Sequence, residues 1–179
     1  MQKKPNMSQK VKIFNGKVIT PIEILEKASV LVSDGKIIGI ETGNPEFPDA
    51  QVIDAKGQFI SPGFIDIHLH GGGGSDFMDG TPEAFLTIAE THARFGTTAM
   101  FPTTLTAEPE DLEATLDSFE KAKLLNTKGA SLLGMHLEGP YFAMSQRGAQ
   151  DPRFIRNPDE KEFKELIANY STIKRWSAA

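Results

Sequence analysis

The sequence predicts an α/β protein: short strands joined by turns, then strands joined by helices in the manner of a parallel sheet. Three observations predict it. The rhythm changes at Pro62, before which apolar runs are separated only by turn residues and after which they are separated by segments of helical spacing. The stretch from Pro62 to Gly71 alternates, with Ile65, Ile67 and Leu69 on one face and Asp66, His68 and His70 on the other, as the two-residue side-chain period of a strand requires. From Pro62 onward 118 residues remain (179 − 61), about half of the roughly 250 that a complete (β/α)8 barrel needs. Those residues fit a small open α/β fold or about the first four units of an incomplete (β/α)8, TIM-type barrel. The ending Ser177-Ala178-Ala179, which carries no stop signal, favours the barrel.

The bulk properties narrow the chemistry. An apolar share of 39% and a charged share of 24% are those of a globular chain. No window approaches 18 consecutive apolar residues, so no membrane span is expected. The net charge of −5 argues against a nucleic-acid partner. Residues 1–10 are polar and lysine-bearing with no apolar segment, which reads as a disordered leader and not a secretory signal. The absence of cysteine excludes disulfides and thiolate metal sites and fits a cytoplasmic location. Any metal must therefore be held by carboxylates and by the four histidines, His68, His70, His92 and His136.

Residues 11–61 read as hairpins. Asn15-Gly16 separates Val11–Phe14 from Lys17–Ile19, a two-residue hairpin signal. Ser33-Asp34-Gly35 separates Ala28–Val32 from Lys36–Ile40, and Ala55-Lys56-Gly57 separates Gln51–Asp54 from Gln58–Ile60. Some 50 residues of hairpin cannot bury enough to stand unaided and should pack against something else. Residues 62–179 form the second expected region. Its first strand is the alternating stretch. Thr81-Pro82-Glu83 then supplies N-cap, N1 and N2 of a helix whose stripe is Phe85, Ile88, Ala89, His92 and Phe95, ended by Gly96. Thr97–Phe101 is a second strand. Pro109 opens a helix with Leu112, Leu116 and Phe119 on one face. Residues 131–138 are a third strand, broken by Gly139-Pro140. Asn157-Pro158-Asp159-Glu160 caps a third helix with Glu160 at N3, and a fourth strand begins at Ile173.

The candidate site follows from where the strands end. His68 and His70 stand two apart on one face at the C-terminal end of the first strand, where α/β folds place their sites, and two imidazoles so spaced can hold one divalent ion. His136 and Glu138 repeat the pattern on the third strand. Glu138 is an anionic oxygen donor able to complete or bridge such a site. His136 reads equally as a ligand or as a group that orients one, and Asp66, deeper on its strand, reads as an orienting neighbour. His92 lies on the apolar stripe and reads as a packing residue. Gly71–Gly74 could let backbone amides approach an anion, or could simply be a turn that opens the site. Arg147 lies in the long loop after Glu138, a position suited to substrate contact or to solvent.

These residues resemble a known family. Pro62-Gly63-Phe64-Ile65-Asp66-Ile67-His68-Leu69-His70-Gly71 after N-terminal hairpins resembles the opening of the amidohydrolase superfamily, metal-dependent (β/α)8-barrel hydrolases with a small β-sandwich built from both chain ends. Gly96-Thr97-Thr98, Phe101-Pro102-Thr103, His136-Leu137-Glu138-Gly139-Pro140-Tyr141-Phe142 and Arg147-Gly148-Ala149-Gln150 resemble its N-acetylglucosamine-6-phosphate deacetylase family, over roughly the first half of that family's length. The resemblance implies residues 11–61 as part of the sandwich and 62–179 as the first half of the barrel. It implies hydrolysis of the acetamide of N-acetylglucosamine 6-phosphate to glucosamine 6-phosphate and acetate, in amino-sugar catabolism. It implies one or two divalent ions (zinc, iron, manganese or cobalt) with Glu138, His68 and His70 as ligands, and Ala149, Gln150 and Arg147 toward an amino-sugar phosphate substrate. It implies a homodimer for the full-length protein. The family's other two histidine ligands and its catalytic aspartate fall on later strands, past Ala179, so no catalytic residue is assigned within this chain and the chain by itself is expected to be inactive. A dihydroorotase or hydantoinase type shares the HxH strand but lacks the HLEGP segment, and a non-enzymatic metal-binding or interaction domain is the remaining alternative.

Overall fold

A computed structural model describes residues 9–179. The expected leader falls outside these residues except for its last two, and Lys10 already belongs to a strand. The chain divides into two compact units, one ending at Pro62 and the other running from Gly63 to Ala179.

The first unit is a single sheet. It contains β1 (Lys10–Ile19), β2 (Ile24–Ser33), β3 (Lys36–Thr42), β4 (Gln51–Asp54) and β5 (Phe59–Ile60), in the order β3-β2-β1-β4 with β5 also on β1. Of the three expected hairpins only the one at Ser33–Lys36 forms, joining antiparallel β2 and β3. Asn15-Gly16 is not a turn. β1 runs straight through it and places one extra residue there, since Ile13 faces Val30 and Gly16 faces Ala28. Asn15 takes the left-handed backbone conformation such a bulge needs, with φ of 57°. Continuing costs less than turning because Val18, beyond the bulge, is buried against Ala28 and Val30. The real turn comes at Thr20–Glu23, where Thr20 N–H donates to the Glu23 carbonyl at 2.9 Å. Ala55-Lys56-Gly57 is not a hairpin either. β4 and β5 both lie parallel to β1, and the turn lets the chain step past the bulge.

The second unit alternates strand and helix. Its elements are β6 (Phe64–Leu69), the small strands β7 (Gly71–Gly72) and β8 (Ser75–Asp76), α1 (Pro82–Ala93), β9 (Thr97–Pro102), α2 (Pro109–Leu125), β10 (Ser131–Leu132), β11 (Met135–Glu138), α3 (Glu160–Asn169) and β12 (Ile173–Ser177). β6, β9 and β10 are parallel neighbours, β11 and β12 pair in parallel, and a Thr103–His136 bridge continues the ladder from β9 to β11. The third strand is split where a continuous one was expected. The break falls at Leu133-Gly134, where a Cβ on Gly134 would stand 2.8 Å from the Thr172 carbonyl, so glycine is what lets the chain leading into β12 approach. Thr81 caps α1, its hydroxyl accepting from Ala84 N–H at 3.3 Å, with Pro82 opening the helix. α3 starts later than expected: Asp159, not Asn157, is its cap and accepts from Glu162 N–H at 3.0 Å.

The core of this unit lies between helices and sheet. Phe85 and Ile88 of α1, Leu112, Leu116 and Phe119 of α2, and Leu69, Met100, Met135 and Leu137 of the strands form one buried cluster. Each such side chain contributes about 1.5–3 kcal/mol on burial. Phe85 sits between Phe77 and Phe119, with ring centroids at 4.8 and 6.0 Å. On β6 only Leu69 joins this core. Ile65 and Ile67, expected on the same buried face, are 63% and 51% exposed. The consequence for function is that the C-terminal ends of β6 and β11 flank that of β9, one on each side.

Candidate metal centre

β6 delivers His68 and His70 to the same side at its end, and their Nε2 atoms stand 3.2 Å apart. β11 delivers Glu138 opposite them. Its Oε1 lies 3.5 Å from His68 Nε2 and its Oε2 3.2 Å from His70 Nε2. The three ligand atoms fall within 4.8 Å of one another.

The tautomer of His70 is legible. Its Nδ1 lies 3.2 Å from the Thr103 carbonyl, which can only accept, so Nδ1 carries the proton and Nε2 of the neutral ring presents a lone pair. That lone pair faces the Glu138 carboxylate, and a cation held between them and His68 Nε2, 3.5 Å from the same carboxylate, would be met by donors from both strands. Two imidazole nitrogens and a carboxylate oxygen are the donor set that zinc, iron, manganese or cobalt accepts, and the His70–carbonyl contact is the kind that orients ligand histidines.

Threonines and a serine hold this arrangement, and none of them stood out in the sequence. Thr103 is fully buried. Its hydroxyl accepts from Leu69 N–H at 3.2 Å, donates to the Phe101 carbonyl at 3.1 Å and meets His136 Nδ1 at 3.4 Å, while its carbonyl takes His70. Thr104 Oγ1 accepts from Glu138 N–H at 3.3 Å. Ser177 Oγ meets His136 Nε2 at 2.8 Å. The signals available for the threonines were the position of Pro102-Thr103-Thr104 at a strand end level with the histidines and the place of Phe101-Pro102-Thr103 among the motifs that carry the family resemblance.

The other expected residues fall into distinct places. His136 is buried with both ring nitrogens engaged by Thr103 and Ser177, and its ring meets that of His68 edge-on at 5.0 Å. Burial, with the charges of Arg175 and His68 nearby, pushes it down to about 4, so it is neutral at physiological pH. It stands beside the ligand cluster and not within it. Asp66 Oδ1 accepts from the backbone N–H of His68 at 3.1 Å, touching the strand and not a ring. His92 Nε2 reaches the Gly71 carbonyl at 3.1 Å, and a Cβ on Gly72 would stand 2.7 Å from that nitrogen. The glycine run is a tight hairpin of β7 and β8, turned by Gly73 and Gly74 at φ of 65° and 85°.

The loop after Glu138 is anchored from below. Trp176 Nε1–H donates to the Gly139 carbonyl at 2.8 Å, and its ring stacks on Tyr141 at 5.5 Å. Burial, with the Glu162 carboxylate nearby, pushes the Tyr141 hydroxyl up to about 12. Farther along, Ala149 is exposed and Arg147 half-buried, its Nη1 donating to the Gln150 carbonyl at 3.0 Å. Gln150 is only 6% exposed. Its Nε2 donates to Glu138 Oε2 at 2.9 Å, and its Oε1 accepts from Thr106 N–H at 2.8 Å.

The chain is similar to known proteins over most of its length. The profile of the amidohydrolase family matches residues 59–177. N-acetylglucosamine-6-phosphate deacetylase of Bacillus subtilis (strain 168) is 33% identical over 162 residues, covering 88% of this chain and 41% of the relative. N-acetylgalactosamine-6-phosphate deacetylase of Escherichia coli O157:H7 is 34% identical over 144 residues, covering 80% and 37%. Among solved structures, the N-acetylglucosamine-6-phosphate deacetylase of Pasteurella multocida aligns with a TM-score of 0.85 at 26% identity, over 94% of this chain and 44% of that one. The chain thus spans less than half the length of the relatives it matches.

Proposed function

The chain belongs to the amidohydrolase family, and we propose that it supplies the metal-holding front strands of a deacetylase that hydrolyses the acetamide of an N-acetylated amino-sugar 6-phosphate, N-acetylglucosamine 6-phosphate first. The single observation that carries this is the convergence of His68, His70 and Glu138 ligand atoms within 4.8 Å, in a chain whose relatives bear that activity in their names. In this reading the parallel run β6, β9, β10/β11, β12 is the front of a (β/α)8 barrel, and the first-unit sheet is part of a β-sandwich.

His68 and His70, through Nε2, and Glu138, through its carboxylate, would hold the ion; bound there, it would supply Lewis-acid polarisation of the acetyl carbonyl and a water activated at neutral pH. Thr103 keeps the His70 proton on Nδ1. His136 stays neutral and fills the space beside His68. Ala149 and Arg147, on the loop after Glu138, are positioned toward substrate. The general acid–base aspartate is assigned to no residue of this chain, so the 179 residues alone bind metal without turnover. In this reading the full-length enzyme is a cytoplasmic homodimer.

The test is acetate release by the full-length, metal-loaded protein from N-acetylglucosamine 6-phosphate, with the unphosphorylated sugar as control. Release from neither phosphorylated sugar at any divalent metal would overturn the proposal. N-acetylgalactosamine 6-phosphate belongs in the same assay, because the Escherichia coli relative named for it is as similar to this chain as the Bacillus one.

A further inference from the structure

The Gln150 side chain has a task that its place in a substrate loop does not suggest. It is almost wholly buried. A buried primary amide needs partners at both ends, and here both lie within the chain. The oxygen accepts from the buried Thr106 N–H at 2.8 Å, and the nitrogen donates to Glu138 Oε2 at 2.9 Å. This contact also fixes the assignment of the amide, because Thr106 N–H can only donate and the Glu138 carboxylate accepts. Its main-chain carbonyl is tied as well, by Arg147. Gln150 is therefore a brace between the backbone after β9 and the carboxylate at the end of β11.

The brace acts on one oxygen of Glu138. Oε2 receives the amide proton and faces His70, whereas Oε1 faces His68. A carboxylate with one oxygen pinned loses the rotational freedom it would otherwise surrender on binding an ion. Its other oxygen is left directed at the cluster. Groups that hydrogen-bond to ligating carboxylates commonly carry about 10- to 100-fold in metal affinity.

We propose that Gln150 is a positioning residue for Glu138, raising the affinity of the site for a divalent ion, and that it does not recognise the sugar directly. This rests on the metal-centre reading above. The test is titration of the metal-free full-length protein with Co2+, followed by visible absorption, for wild type, Gln150→Met and Gln150→Asn. Methionine matches the length and removes the donor. Asparagine keeps the amide but is one methylene too short to span Thr106 and Glu138, and it serves if the methionine variant fails to fold. The expected result is a cobalt affinity at least about tenfold weaker in a folded variant, with a changed ligand-field spectrum and lowered kcat at limiting metal. Unchanged cobalt affinity and spectrum, with KM for the amino-sugar phosphate raised, would return Gln150 to substrate contact and overturn the proposal. A wild type that binds no cobalt would overturn the metal-centre reading itself, and this inference with it.

Discussion

Replacing Glu138 by glutamine should separate metal binding from folding. In the metal-free protein the Glu138 carboxylate faces the Nε2 atoms of His68 and His70 at 3.5 and 3.2 Å and accepts from Gln150 at 2.9 Å. Glutamine has the same shape. Its oxygen can take the place of Oε2 and keep the bond from Gln150, weakened by about 1 kcal/mol for loss of the charge. Its NH2 then takes the place of Oε1 and donates to His68 Nε2, worth about 0.5–1.5 kcal/mol. The two terms nearly cancel, so metal-free stability should move by less than about 1 kcal/mol. With metal the result differs. An ion at 100 times the wild-type Kd stabilises the fold by about 2.7 kcal/mol. Loss of one of three ligands should weaken Kd by at least about 100-fold, more than loss of a group that merely orients a ligand. The same ion concentration then adds only about 0.4 kcal/mol to Glu138→Gln. Urea unfolding of both proteins in chelator and in Co2+ measures all four values. A metal increment that survives in Glu138→Gln would refute the ligand assignment. A loss of several kcal/mol in chelator would instead make Glu138 a structural residue.

Other consequences can be checked by unfolding. Gly72→Ala should cost about 1–3 kcal/mol, because its Cβ would meet His92 Nε2 at 2.7 Å, and most of that cost should vanish in a His92→Ala background. Phe85→Ala should cost about 3–5 kcal/mol, since the ring is wholly buried between Phe77 and Phe119. Arg156 donates to both oxygens of the half-buried Glu162, and this hydrogen bonding holds the Glu162 carboxyl below its ordinary value. A depressed carboxyl stabilises the fold above its unfolded pKa and loses that contribution as pH falls through its folded one. Arg156→Met should therefore cost about 1–3 kcal/mol at pH 7 and progressively less below pH 4, read from denaturation at each pH. An equal cost at pH 7 and pH 3 would show that Arg156 acts by packing alone.

Local patterns were legible where one segment decides its own structure. The α1 cap at Thr81 and the two-residue period that brings His68 and His70 together need only neighbours in sequence. Asn15-Gly16 was misleading for the opposite reason. The dipeptide licenses a left-handed residue, and a bulge and a hairpin turn both use one. What selects the bulge is the pairing of Val18 with a strand that comes later in the chain. The exposure of Ile65 and Ile67 likewise depends on what lies beside β6, which its alternation does not encode.

The same division runs through the site. Sequence alone offered His68, His70 and Glu138, with His136 beside them, as residues able to hold a metal, because ligand chemistry and strand spacing are local properties. Only the tertiary structure decided that β6 and β11 end on either side of β9 with their ligand atoms converging, that Thr103 sets the His70 tautomer, that His136 is occupied by Thr103 and Ser177, and that Gln150 meets Glu138. Each of these is a contact between residues far apart in the chain, formed because burial of the shared core brings their strands together and buried polar groups must then find partners among whatever arrives beside them.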